Sequence, residues 1–252
     1  MEDEKMIGDI YAIYLREILR LWRQKVRLVT MIMMPLLWLG VIGNAFNSVM
    51  NLPTQGDFLS FLTPGILVMT MVFTATISGI TTVFDREFGF LKEMLVAPIK
   101  RESILIGKML GGVTQAVLQG ILILSLAILM GVKFSGVMSI PGMFLTMFLV
   151  SIAFVSLGLA VASKLTSMEG FQMVMNFMIQ PMIFLSGAFY PTAFLPDWLK
   201  TMVKINPLTY GVDAMRYFAI GVNEFNVIAD LLILLVFSIT MILIGGHFFR
   251  KS

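Results

Sequence analysis

The chain reads as an all-α polytopic membrane protein. Six spanning helices are expected, with an interfacial helix ahead of them and short half-helices on the outer side. Three observations carry that fold class. Of the 252 residues, 58% are hydrophobic and 13% charged, with a mean hydropathy of +0.91. A soluble domain carries roughly 25% charge, so lipid must be the solvent for most of this surface. Six apolar runs, each about the 20 residues needed to cross the hydrocarbon, lie at 28–46, 59–84, 103–130, 142–163, 171–190 and 227–249. Fourteen lysines and arginines fall on the side that holds both termini and four on the other. That asymmetry places both termini in the cytoplasm of a cell (plasma) membrane protein.

Residues 1–27 precede the first run and form a separate unit from the six-helix domain, 28–252. Ile7, Tyr11, Tyr14, Ile18 and Trp22 share one helical face, while Arg16, Arg20, Arg23 and Lys25 gather elsewhere. A basic amphipathic helix of this kind lies in the lipid headgroup layer; a partner-binding helix has the same pattern. Pro35, Pro64 and Pro181 fall in or near spans. Membrane helices tolerate them where neighbours satisfy the freed carbonyls.

Between the second and third runs sits an island of charge, residues 85–102. Phe84, Phe88, Leu91 and Leu95 recur at a helical period, with Arg86, Glu87, Lys92 and Glu93 on the other faces. Pro98 ends the helix because it lacks an N–H. The reading is a short amphipathic helix, 85–98, lying flat at the cytoplasmic surface. The longest outer connection, 191–226, holds two pieces too short to span, together the half-helices of 191–222. Pro196-Asp197-Trp198 opens one. Asn206-Pro207 opens the other as an N-cap followed by proline at the first helical position, and Gly221 stops it. Tyr210 sits on this piece near the interface. Asp213 and Arg216, three apart, are placed for a local pair on this half-helix, which is read as dipping into the outer leaflet.

Several chemistries are excluded. There are no cysteines and one histidine, His247, so thiol chemistry and the usual metal clusters are out. No G-x-x-x-x-G-K-[ST] loop occurs; Gly107-Lys108 lacks the upstream glycine and the following hydroxyl. The net charge of +3 is topological, and nucleic acid is not a partner. Lys108 and Asp230 lie near helix ends, and no acid stands at mid-span as a proton-driven carrier needs. Gln115, Gln119, Asn176 and Gln180 are polar neutral groups in spans, where helix-to-helix hydrogen bonding is their commonest use. Asn176 and Gln180 are also the candidates for lining a substrate path. Gly107 and Gly111 share a face and permit close packing. The chain thus has a charged cytoplasmic handle and no motor of its own.

The run from Phe84 to Arg101, followed by Gly107-Lys108, resembles the permease subunit of type-2 ABC exporters, in the daunorubicin-resistance and nodulation-factor export branch. Ile179, Met182, Leu185-Ser186, Ala188, Leu195-Pro196, Pro207-Leu208-Thr209-Tyr210 and Arg216 follow that family's spacing in a second region. Phe88 departs from it, standing where many relatives have a small or polar residue. The resemblance implies a type V exporter-like fold and a homodimer. It also implies two copies of a separate ABC ATPase that bind the ATP and magnesium, with no cofactor in this chain. The chain would be a transporter subunit and not itself an enzyme, although the whole complex would be a translocase. Residues 85–98 would be the coupling helix, with Arg86, Glu87, Phe88, Gly89, Leu91, Glu93, Pro98 and Arg101 as contact or transmission residues. Gly89 would allow close approach of the partner or of the next span. Asn206, Pro207, Tyr210, Asp213 and Arg216 would shape the outer half-helix. The path would lie at the dimer interface, lined by the first, second and fifth spans. Its cargo would be an amphipathic or lipid-like molecule, such as a drug, a lipid or a lipid-linked glycan. A secondary carrier or channel, or a membrane scaffold without transport, is the alternative.

Overall fold

A computed structural model describes residues 2–43, 45, 58–90, 99–134, 136, 139–192 and 195–251, with the side chains of 2–5, 28 and 249–251 left out of the description. Among these residues there are helices and turns and no strands. We number the helices α1 (Glu2–Arg23), α2 (Lys25–Leu37), α3 (Phe58–Glu87), α4 (Arg101–Leu129), α5 (Ile140–Ala162), α6 (Met168–Phe184), α7 (Asp197–Ile205), α8 (Pro207–Ile220) and α9 (Val227–Lys251). A π-helical stretch, Trp38–Gly43, continues α2. Five segments are long and apolar enough to cross a bilayer: Lys25–Gly43, Phe58–Glu87, Arg101–Leu129, Ile140–Ala162 and Val227–Phe248.

Helix α3 is the axis of the bundle. Both its faces are apolar, so it is buried along most of its length, as a helix hydrophobic all round must be. Helices α4, α5, α6 and α8 pack around it, and α9 lies against α5. The core joins Phe61, Ile66 and Met71 of α3 to Met147, Val150 and Phe154 of α5, with Phe171 of α6 and Leu208 of α8. Helices α2 and α9 sit at the periphery. Val26, Met34 and Val41 on one, and Ile228, Val236 and Leu243 on the other, are exposed.

The fifth apolar run divides. Helix α6 has 17 residues, about 26 Å at 1.5 Å per residue, short of the ~30 Å hydrocarbon. Turns replace helix over 185–190. The chain then enters α7 and α8; α8 packs back on α3, α5 and α6 instead of crossing, and α7 lies against α8. Helix α8 forms as the sequence dictates. The Asn206 side chain accepts from the Leu208 amide at 3.1 Å, Pro207 takes the first helical position, and Gly221 ends the helix at φ 74°. The Asn206 amide also donates to the Met182 carbonyl at 2.7 Å, tying α8 to the last turn of α6.

Proline effects are answered by neighbours. Pro35 has no N–H for the Met31 carbonyl one turn earlier. Gln119 of α4 donates to that carbonyl at 2.7 Å. Two glycines set the distance between α1 and α4. A Cβ on Gly107 would lie 2.7 Å from Ile13 Cβ, and one on Gly111 2.7 Å from Glu17 Cβ. Ile13, Glu17 and Leu21 are the buried face of α1, while Ile7, Tyr11 and Trp22 form an exposed apolar stripe. Helix α1 therefore grips α4 with one face and keeps a greasy face free, as an interfacial helix does.

Gly107→Leu is expected to lift α1 from α4, at a cost of about 1–3 kcal/mol from overpacking. Thermal unfolding in detergent and protease access to α1 measure it. Wild-type behaviour in both would mean that α1 is held elsewhere.

Candidate functional site: a buried charge cluster, a clamped far end and a cleft

One end of the bundle holds a group of charges inside it. Asp85, in the last turn of α3, and Lys108 of α4 are each 1% exposed, and Glu17 of α1 is 4% exposed. Lys108 Nζ contacts an Asp85 carboxylate oxygen directly and lies 3.4 Å from Glu17 Oε1. Arg16 reaches Asp85 through both terminal nitrogens, each at 3.2 Å, and Arg20 reaches it at 3.2 Å. Arg20 also covers the Phe84 ring at 5.1 Å. An acid at a helix C-terminus is disfavoured by the helix dipole. Three cations drawn from two other helices outweigh that here.

The next two residues continue the bracing. Arg86 donates to the Ser163 and Leu165 carbonyls at 2.9 and 3.2 Å, where α5 ends. Glu87 accepts from the Met168 amide at 3.3 Å, where α6 begins. A cation on a C-terminus and an anion on an N-terminus both suit the helix dipoles. Helix α3 thus ends locked to α1, α4 and the α5–α6 turn. Phe88 and Phe90 then emerge, 58% and 43% exposed.

This geometry corrects the sequence reading at several points. Asp85, Arg86 and Glu87 belong to the long spanning helix and not to a separate surface helix; Gly89, at φ 82°, breaks the expected stripe. A Cβ at Gly89 would meet nothing within 4 Å among the described residues, and its positive φ suits a left-handed turn. Arg86 and Glu87 point to the chain's own turn. Arg101 starts α4 at the surface. Leu91, Glu93 and Pro98 lie outside the described residues. Lys108 and Asp230 do lie near the starts of their helices, as expected, and both are buried there. Asp213 and Arg216 are each 3% exposed and engaged separately. The sequence offered one signal for the charge cluster, namely Lys108 and Asp85 as single charges beside apolar runs, but no partner could be named.

The opposite end is clamped by α8. Arg216 donates to the Gly187 carbonyl at 2.8 Å and lies 4.0 Å over the Phe61 ring. Asp213 accepts from the Glu224 and Phe225 amides at 2.9 and 2.8 Å, and Glu224 returns to accept from Thr192. Burial raises the Asp213 carboxyl above the usual range, with the two amides opposing. Burial also pushes the Arg216 guanidinium down to about 10, with Asp213 opposing, so it stays charged at neutral pH. Tyr210 donates to the Lys204 carbonyl at 2.5 Å, joining α8 to α7.

Between the two ends a cleft of about 460 Å³ opens among α2, α3 and α6, with Gln119 of α4 on its wall. Gln180 lines it, whereas Asn176 is exposed on α6 outside its lining. Among the described residues no group of three or more His, Cys, Asp or Glu could hold a metal.

Asp85→Asn is expected to cost about 3–5 kcal/mol, the scale of a buried pair left half-empty. Replacing the buried group together, Asp85→Leu with Lys108→Met and Glu17→Leu, should recover most of the loss, because Arg16 and Arg20 are 39% and 23% exposed and can turn to solvent. Chemical denaturation in micelles reads both. At the far end, Arg216→Met is expected to cost about 1–3 kcal/mol, seen as faster hydrogen exchange in α8.

Comparison with known proteins agrees with this architecture. The family model for ABC-2 type transporters matches residues 8–220. The transport permease ycf38 of Pyropia yezoensis is 33% identical over 224 residues, covering 86% of this chain and 76% of that protein. The inner membrane transport permease YadH of Escherichia coli is 26% identical over 247 residues, 98% of this chain and 95% of that one. The doxorubicin resistance ABC transporter permease protein DrrC of Mycobacterium tuberculosis is 24% identical over 209 residues, 79% and 72% respectively. With that match spanning α1 to α8, the chain belongs to the ABC-2 type transporter family of membrane transport permeases.

Proposed function

We propose that this permease is the membrane subunit of an ATP-driven exporter and is moved by a separate ABC ATPase that docks at the charged end. The single observation that carries the reading is the bracing of α3. Asp85, Arg86 and Glu87 fix its last turn to four other elements. A push on the segment after Gly89 therefore passes into the bundle as a whole. Phe88 and Phe90 supply exposed apolar area for such a contact. In this reading Arg86 and Glu87 position the docking segment, and Leu91, Glu93, Pro98 and Arg101 belong to its surface. The ATPase, in two copies, binds the ATP and magnesium. The charged end and both termini face the cytoplasm.

The cargo is an amphipathic or lipid-like molecule, and the cleft among α2, α3 and α6 is its route. Apolar residues on both flanks stay exposed, including Met34 on α2 and Phe177 on α6. A second copy of the chain set against them would close the open side. DrrC, a doxorubicin resistance permease, supports cargo of this type. A carrier or channel would move cargo without the ATPase.

The test reconstitutes the permease with its ATPase and measures cargo-stimulated ATP turnover. Glu87→Ala removes a charge-assisted hydrogen bond from the docking segment's anchor. It is expected to lower stimulation about tenfold with assembly intact. Unchanged stimulation in Glu87→Ala and in Gly89→Val would remove this end from the mechanism, and transport without the ATPase would favour the carrier.

A further inference from the structure

We infer that the cleft among α2, α3 and α6 is a binding site for a membrane lipid or lipid-like amphiphile with an anionic headgroup, held by Arg27. The site is polar at one end and apolar at the other. Among the described residues Arg27 is the one charged side chain on its wall, in the first turn of α2. Its Nη2 donates to Gln115 Oε1 at 2.7 Å, which fixes the guanidinium in place. Its Nε is buried without a partner. Among the described residues no carboxylate pairs with it: Asp85 is held by Arg16, Arg20 and Lys108, and Glu17 by Lys108. A fixed cation with no carboxylate partner among the described residues and an unpaired Nε, beside a mostly apolar cleft, calls for an anion, and guanidinium geometry suits phosphate or carboxylate.

A second polar group lines the same cleft. Gln119 is 2% exposed and donates through Nε2 to the Met31 carbonyl at 2.7 Å. That bond fixes the orientation of its amide and leaves Oε1 buried without a donor. At the other end, Trp38, Phe184 and Phe189 form an aromatic cluster, with ring centroids 5.1 Å apart for Trp38–Phe189 and 6.1 Å for Phe184–Phe189. The ~460 Å³ volume lies within the ~300–1,000 Å³ range of ligand sites. A headgroup at Arg27 would place the hydrocarbon chain along Phe73 and Trp38.

The site rests on the proposed function only in treating its occupant as cargo. Binding can be measured with no ATPase present, so it stands or falls separately from coupling. The chain has three tryptophans. Trp22 and Trp198 are exposed, and changing both to Phe leaves Trp38 as the reporter in the cleft. The full chain is placed in phosphatidylcholine vesicles with a fraction of dibrominated phosphatidylglycerol or, in parallel, of dibrominated phosphatidylcholine. Quenching of Trp38 is expected to show about a tenfold preference for the anionic lipid, the size of one charge-assisted hydrogen bond. Arg27→Gln should abolish the preference and Arg27→Lys should retain part of it. Thr30→Phe, which fills the mouth beside Arg27, should abolish it with the charge still present. Inorganic phosphate should not compete. Equal quenching by the two lipids would overturn the assignment, as would a preference surviving in Arg27→Gln or Thr30→Phe. Displacement by inorganic phosphate would mean a bare anion site and would overturn the amphiphile.

Discussion

The fold turns on one electrostatic knot. Asp85 ends the most buried helix of the bundle with a carboxylate that has lost nearly all contact with water. A lone buried carboxylate costs several kcal/mol. Arg16 and Arg20 from α1 and Lys108 from α4 offset that cost together. Because each cation comes on a different turn or helix, the knot works only if α1, α3 and α4 meet in one register. Gly107 and Gly111 make the meeting possible by letting α1 approach without a side chain in the way. The same helix keeps Ile7, Tyr11 and Trp22 exposed on its other face while it holds the last turn of α3.

The far end uses a different solution to the same problem. Among the described residues Arg216 has no carboxylate at contact distance; it takes a carbonyl and a ring face. Asp213 takes two amides. Backbone dipoles satisfy Asp213, while Arg216 has one carbonyl and a ring face with its Nε buried and unpartnered among the described residues; α8 is held against α3 and the turn after α6. The bundle is therefore tied at both ends, and the cleft lies between the ties. Its walls come from α2, α3 and α6. Of these, α2 carries Pro35 and a π-helical stretch, and α6 stops short of a full crossing. Irregular helices beside a cavity are tolerated because their freed backbone groups face protein or a polar side chain, as Gln119 shows at Met31.

Local rules were readable from the chain itself where the chemistry is local. The start of α8 at Asn206-Pro207 and its stop at Gly221 follow from a side-chain oxygen, a fixed φ and a missing Cβ, all within a few residues. The spans at 59–84, 103–130, 142–163 and 227–249 match helices within three residues at each end, because about 20 apolar residues in a row have one stable form in lipid. The end of the fifth run was not readable: 171–190 is mostly apolar up to Tyr190, whereas the helix stops at Phe184, where α8 folds back against α6. Arg86 and Glu87 look like surface charges in sequence. Their partners, the Ser163 carbonyl and the Met168 amide, are about 80 residues away.

Composition and periodicity thus determined the solvent, the number and order of the apolar runs and the caps, since each depends on a residue and its near neighbours. Tertiary structure alone decided which charges are buried, what satisfies them and where a cleft opens. Those outcomes depend on pairs such as Asp85 with Arg16 and Arg27 with Gln115. Whether a charge in an apolar chain is tolerable depends on the field of groups brought beside it by packing, and that field has no local signature.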